Sequence, residues 1–116
     1  MYILYGIPNC NSVQKARTWL DKNQVSYTFH DYKKSGITKA KLSRWCKQLG
    51  WENLVNKKGT TWRDLGEATQ QGITTQAAAI DLMMTHNSII KRPVIELDDK
   101  VVAIRFDEEA YEQVFL

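Results

Sequence analysis

The chain has 116 residues, 43% hydrophobic and 25% charged, which suits one domain with a proper core and excludes a disordered segment. No apolar run nears the ~18–20 residues of a membrane span, and the apolar start at Met1–Tyr5 stops at Gly6 and Pro8 without a basic lead or cleavage site, so neither a membrane-spanning nor an exported chain is expected, and the cytoplasm is. A net charge of +3 without long runs of like charge fits a small anionic ligand better than a polyanion, so nucleic acid is not the expected partner.

Tyr2 to Tyr5 reads as a short buried strand ended by the Gly6-Ile7-Pro8-Asn9 turn. A helix follows to about Lys22, with Val13, Ala16 and Leu20 on one face and Asn23 near its end. Tyr27 to Asp31 is a second strand of β-prone residues, and strand, helix and strand in this space make a βαβ unit with two parallel strands. Thr38 is placed to cap a helix carrying Leu42, Trp45, Cys46 and Leu49, and Gly50 to end it. After a short apolar turn around Trp51 to Val55 comes the polar loop Asn56-Lys57-Lys58-Gly59. Thr61 with Asp64 resembles a capping box opening a helix towards Gln71, and Thr74 opens another that includes Ala77, Ile80 and Met84. Residues 38 to 86 thus read as an all-helical insert within a single domain spanning 1–116.

The pattern then returns to strands. Val94 to Leu97 and Val101 to Ile104 flank Asp98-Asp99-Lys100 as an antiparallel hairpin. Asp107 is placed to cap a last helix with Ala110, Tyr111, Val114 and Phe115 on its apolar side. The order β-α-β, helices, β-β-α is satisfied by an α/β fold with a mixed four-stranded sheet covered by helices.

The chain has two cysteines, Cys10 and Cys46, far apart and outside any C-x-x-C pair, so no structural disulfide is expected. With His30 and His86 they lack the close spacing of a zinc site, and no metal is expected. Cys10 follows a strand and opens a helix, where unpaired backbone N–H groups and the positive helix end stabilise a thiolate. The preceding turn keeps bulky side chains away, and Asn9, Asn11 and Ser12 stand beside it, the last two as polar donors. Cys46, on an apolar stripe beside Trp45, reads as a core residue. Arg92-Pro93 precedes the third strand, and the topology brings that turn near the end of the sheet that carries Cys10. Lys91, Arg92 and Arg105 could then surround the thiolate, an arginine fork binding an oxyanion or carboxylate at two points. His30 and His86 read as structural, and Trp19, Trp45, Trp51 and Trp62, scattered over different helices, as packing residues.

Tyr5-Gly6-Ile7-Pro8-Asn9-Cys10-Asn11, the insert with Gly59-Thr60-Thr61-Trp62-Arg63, and Ile90-Lys91-Arg92-Pro93 together resemble the arsenate reductase and Spx-like (ArsC) family over essentially the whole chain, most closely its short YffB-like branch. The resemblance implies a thioredoxin-like fold with a helical insertion, glutathione-linked thiol chemistry and a cis proline at Pro93. By position, Cys10 matches the nucleophilic cysteine, and Arg92 and Arg105 match anion-binding arginines. Asn56 stands where arsenate reductases have arginine, with Lys57 beside it, and Val13 stands where Spx regulators commonly carry a second cysteine.

The resulting expectation is a cytoplasmic monothiol oxidoreductase with glutathione as co-substrate and neither metal nor nucleotide. Its Cys10 thiolate would form a covalent adduct with an oxidised thiol or oxyanion. Asn9, Asn11, Ser12, Lys91, Arg92, Pro93 and Arg105 are the expected substrate or glutathione contacts, and glutaredoxin is a candidate partner. The alternative is a Spx-like regulator that binds RNA polymerase without turnover.

Overall fold

A computed structural model describes all residues, 1–116. The chain divides into two compact units, one formed by Met1–Gly36 with Arg92–Leu116, the other by Ile37–Lys91.

The first unit holds β1 (Tyr2–Gly6), α1 (Asn11–Lys22), β2 (Tyr27–Asp31), α2 (Tyr32–Ser35), β3 (Val94–Leu97), β4 (Lys100–Ile104) and α8 (Glu108–Phe115). Its four strands form one mixed sheet in the order β2-β1-β3-β4. β1 runs parallel to β2, with Gly6 opposite Asp31, and antiparallel to β3, with Tyr5 opposite Val94. Leu4, Val13, Ala16, Leu20 and Ile95 are fully buried, so the apolar face of α1 lies on the sheet as its spacing predicts. Trp19, Tyr111 and Phe115 join this core through edge-to-face and tilted ring contacts, with centroids 5.3 to 6.1 Å apart.

The β3–β4 connection is tighter than the sequence suggests. Lys100 already belongs to β4, leaving Asp98 and Asp99 as a two-residue turn with φ of +52° and +66°. Left-handed geometry at both central residues matches the twist of a hairpin, and aspartate tolerates it better than most residues. The Asp107 side chain accepts hydrogen bonds from the N–H groups of Glu109 and Ala110, capping α8 as expected. Tyr111 is buried, whereas Ala110 and Val114, expected on the apolar side, are exposed.

The second unit comprises α3 (Lys39–Leu49), α4 (Trp51–Leu54), α5 (Thr60–Asp64), α6 (Glu67–Gln71), α7 (Gln76–Thr85) and a 3-10 turn at Asn87–Ile89. Thr38 caps α3 by accepting from the Lys41 N–H, and Gly50 ends it at φ +84°. The single helix expected from Thr61 to Gln71 is instead the pair α5 and α6. Gly66, at φ +86°, takes a conformation a right-handed helix cannot carry, and Gly59 rather than Thr61 occupies the start of α5. The start of α7 is capped by Thr75, one residue beyond the expected Thr74. Its buried residues are Ala79, Ile80, Leu82 and Met83, while Met84 is 42% exposed.

Candidate thiol site

The site begins with a close fit under the turn. A Cβ on Gly6 would meet a Val13 methyl at 2.7 Å, so glycine there lets β1 pass directly against the first turn of α1. Gln14 donates from its side chain to the Pro8 carbonyl at 3.1 Å, and its backbone N–H donates to the Cys10 carbonyl at 2.9 Å. Cys10 thereby occupies the N-cap of α1, with extended backbone angles and a half-buried side chain.

Arg92 completes the core of the site from 82 residues away: its Nε donates to the Cys10 Sγ at 3.5 Å. The Arg92–Pro93 peptide bond is cis, as the resemblance implies, and Pro93 is buried at the entry to β3. Burial alone would raise the Cys10 thiol pKa. The Arg92 hydrogen bond, the Val13 amide, the Arg92 charge and the Ser12 amide outweigh it, so the thiol ionises below its ordinary 9.0. The two amides act on the sulfur at a looser geometry than a full capping hydrogen bond. Burial pulls the Arg92 guanidinium the other way, but its contact with Cys10 and the field of Tyr32 raise it further, so it keeps its charge. Thiolate and guanidinium thus each favour the other's charged form at a helix start.

The remaining expected residues are placed as follows. Asn9 is exposed in the turn, Asn11 is exposed on the first residue of α1, and Ser12 contributes its amide. Arg105 is exposed and sits at φ +62° just beyond β4. Its bonds to this region are backbone ones: its N–H donates to the Pro93 carbonyl at 2.7 Å, and its carbonyl accepts from the Tyr111 hydroxyl. Lys91, Asn56 and Lys57 belong to the helical unit. There the Lys91 N–H donates to the Leu54 carbonyl at 2.9 Å and the Asn56 N–H to the Ile89 carbonyl at 2.7 Å. Lys57 lies over the rings of Trp51 and Trp62 at 5.6 and 5.7 Å. Cys46 is 3% exposed, and burial, followed by the charge of Glu52, pushes its thiol pKa up. His30 is held by the Gly36 carbonyl at 2.8 Å and stacks on Tyr5, consistent with a structural role. No group of three or more metal-ligating side chains converges anywhere in the chain.

One residue of the site escapes sequence reasoning. Tyr32, the first residue of α2, is fully buried; the Arg92 guanidinium bears loosely on its hydroxyl oxygen, and its O–H finds no acceptor. It lies within the field of both Arg92 and Cys10, and burial pushes its pKa up to about 12 against the opposing pull of Arg92. The parallel pairing of Gly6 with Asp31 is the signal that could have found it. That register sends the residues after both strands out of the same end of the sheet.

Set beside known proteins, the architecture recurs. The ArsC family model matches residues 5–114. The solved structure of the YFFB (PA3664) protein superposes with a TM-score of 0.92 at 45% identity, covering 100% of each chain. An arsenate reductase (ArsC) related protein from Brucella melitensis superposes at 0.80 with 42% identity, covering 98% of this chain and 93% of that one. The global transcriptional regulator Spx of Streptococcus agalactiae is 28% identical over 111 residues, 94% of this chain and 79% of the regulator. The mixed four-stranded sheet covered by helices that the element order predicts is therefore the thioredoxin-like fold that the family resemblance implies. With a family match spanning nearly every residue, and with a cysteine at a helix start facing a distant arginine, the chain belongs to the ArsC family.

Proposed function

We propose that the chain is a glutathione-dependent monothiol reductase whose nucleophile is Cys10. The observation that carries this reading is the 3.5 Å contact between Arg92 Nε and the Cys10 sulfur at the N-cap of α1. A thiol whose ionisation is lowered and whose sulfur is partly exposed is favoured, through its thiolate, for attack on oxidised sulfur. Cys10 thiolate attacks a sulfur of a mixed disulfide, forming a new S–S bond to the glutathione portion and expelling the substrate as its thiolate. A second glutathione, deprotonated, attacks that adduct, regenerates the Cys10 thiolate and leaves as oxidised glutathione. The proton lost by that glutathione balances the one the substrate thiolate takes up, and the net change passes the disulfide bond from the substrate to the second glutathione, with no other oxidant or reductant.

An external thiol is needed because Val13, three residues on, is fully buried and carries no sulfur, while Cys46 is buried within the helical unit. Arg92 and the amides of Ser12 and Val13 offset negative charge at the sulfur. Asn9, Asn11, Pro93 and Arg105 are the proposed contacts for the substrate or for glutathione carboxylates. An oxyanion such as arsenate is a second proposed substrate: the Cys10 sulfur displaces one oxygen, which leaves as water, and two glutathione thiols supply the two electrons that reduce the adduct and leave as oxidised glutathione. Glutaredoxin is a proposed partner in the cytoplasm. Exposure to oxidised glutathione followed by peptide mass spectrometry tests this. The expected result is one glutathionyl group on Cys10 and none on Cys46, reversed by reduced glutathione. Absence of the Cys10 adduct would overturn the proposal.

The Spx relatives support a second reading, a regulator that docks on RNA polymerase without turnover. Stoichiometric retention of purified polymerase that survives Cys10→Ser would favour docking. Glutathione-dependent turnover lost in the same variant would favour the reductase.

A further inference from the structure

Tyr32 presents a buried donor with nothing to donate to. Asp31 ends β2 and caps α2 by accepting from the Lys33 N–H at 3.0 Å and the Lys34 N–H at 3.3 Å. The same register that pairs Gly6 with Asp31 delivers Tyr32 to the end of the sheet from which the Cys10 turn departs. The side chain is 0% exposed, and although the Arg92 guanidinium bears on the hydroxyl oxygen, the O–H has no acceptor, an arrangement that costs folding free energy. The neighbours are not neutral. The Arg92 guanidinium, bonded through Nε to the Cys10 sulfur, is near enough to pull on the phenol, and Cys10 itself is felt there. The phenol keeps its proton far above neutral pH; its oxygen can accept from the Arg92 guanidinium, so the group left without a partner is the O–H donor.

We infer that Tyr32 is a ligand-selecting residue of the thiol site: its hydroxyl donates to an anionic oxygen of a substrate bound at the Arg92 guanidinium beside the Cys10 sulfur. An anion whose oxygen fills that place gains a second donor beside the guanidinium, whereas an apolar thiol or thioether leaves the hydroxyl unpaired. The site therefore discriminates in favour of oxygen-bearing anions, tetrahedral oxyanions among them. This inference rests on the reading of Cys10 as the reactive thiol.

Inorganic sulfate, an unreactive tetrahedral oxyanion, serves as the probe. Cys10 alkylation by iodoacetamide is followed by peptide mass spectrometry at fixed pH and constant ionic strength, in the unmodified chain and in Tyr32→Phe. Sulfate should protect Cys10, and losing a hydrogen bond to a charged group should raise the half-protecting concentration roughly tenfold or more. Without sulfate the two alkylation rates should agree within about twofold, since the phenol is not among the groups that set the thiol's ionisation. The melting temperature of Tyr32→Phe should be unchanged or higher, because an unmet buried donor has been removed. Equal protection in both chains, or no protection of the unmodified one, overturns the assignment. A marked loss of thermal stability in Tyr32→Phe also overturns it, by showing the hydroxyl to be structural. A pH profile of the unmodified thiol without any lowering would instead sink the proposed reaction, which separates the two failures.

Discussion

Replacing Arg92 by methionine keeps the side chain's stem and removes its charge and its hydrogen bond to Cys10. At the observed 3.5 Å, Coulomb's law gives about 1.2 kcal/mol in a water-like medium and about 4.7 kcal/mol at an effective dielectric of 20. Cys10 is partly exposed, so solvent screening places the effect towards the lower figure, and about 1.4 kcal/mol, a tenfold loss of thiolate, is the working value. Each remaining thiolate is more basic and roughly threefold more nucleophilic, because nucleophilicity rises with about the 0.4–0.5 power of basicity. At pH values below the thiol's ionisation, alkylation of Cys10 by iodoacetamide should therefore slow by about three- to four-fold. The midpoint of the pH–rate profile should move upward, and Arg92→Lys should fall between, keeping a charge without the planar fork. An Arg92→Met profile that superposes on the parent, or moves downward, would refute the electrostatic argument.

Three further outcomes follow from the same geometry. Iodoacetamide at neutral pH should modify Cys10 and spare Cys46, which is 3% exposed with its thiol pKa pushed up, until denaturant is added; peptide mass spectrometry reads both sites. Gly6→Ala drives a Cβ to 2.7 Å from the Val13 side chain, and thermal melting should show a loss of about 1–3 kcal/mol, whereas an unchanged melt would mean that the turn relaxes freely. Because the native Cys10 thiol is lowered from 9.0, its ionisation adds stability that is fully present above the unfolded value and is lost as pH falls through the native one. Urea unfolding of the parent against Cys10→Ser should thus give a stability difference that grows with pH between those values and levels off above them, and a flat or falling difference would count against the lowered thiol.

The parts of the fold carried by local chemistry were legible in the residues. Val13, Ala16 and Leu20 at helical spacing, Thr38 and Asp107 as caps, and Gly50 as a stop all acted as their types suggest. The failures have equally local causes. A periodic stretch across Gly66 looked continuous, but one glycine in a left-handed conformation divided it into α5 and α6. The four residues of α2 are too short to show periodicity, and only the Asp31 cap announces them. At the site, the value of Cys10 could be read from its place between strand and helix, since amide direction is a property of that junction. Its pairing with Arg92 depends on β3 lying next to β1, and the role of Tyr32 depends on the β1–β2 register. Neither is written in neighbouring residues. Arg105 shows the converse. Its charge suggests an anion contact, yet the bonds that join it to Pro93 and Tyr111 are made by its backbone.

The most direct test of the account follows the ultraviolet absorbance of the Cys10 thiolate across pH in a Cys46→Ala chain, with Cys10→Ser as the blank. A transition centred below 9.0 is the expected result, with the Arg92 guanidinium and the Val13 and Ser12 amides holding the charge against burial. A transition centred at 9.0 or above would contradict it, because desolvation would then have won and no nucleophile would stand ready at neutral pH.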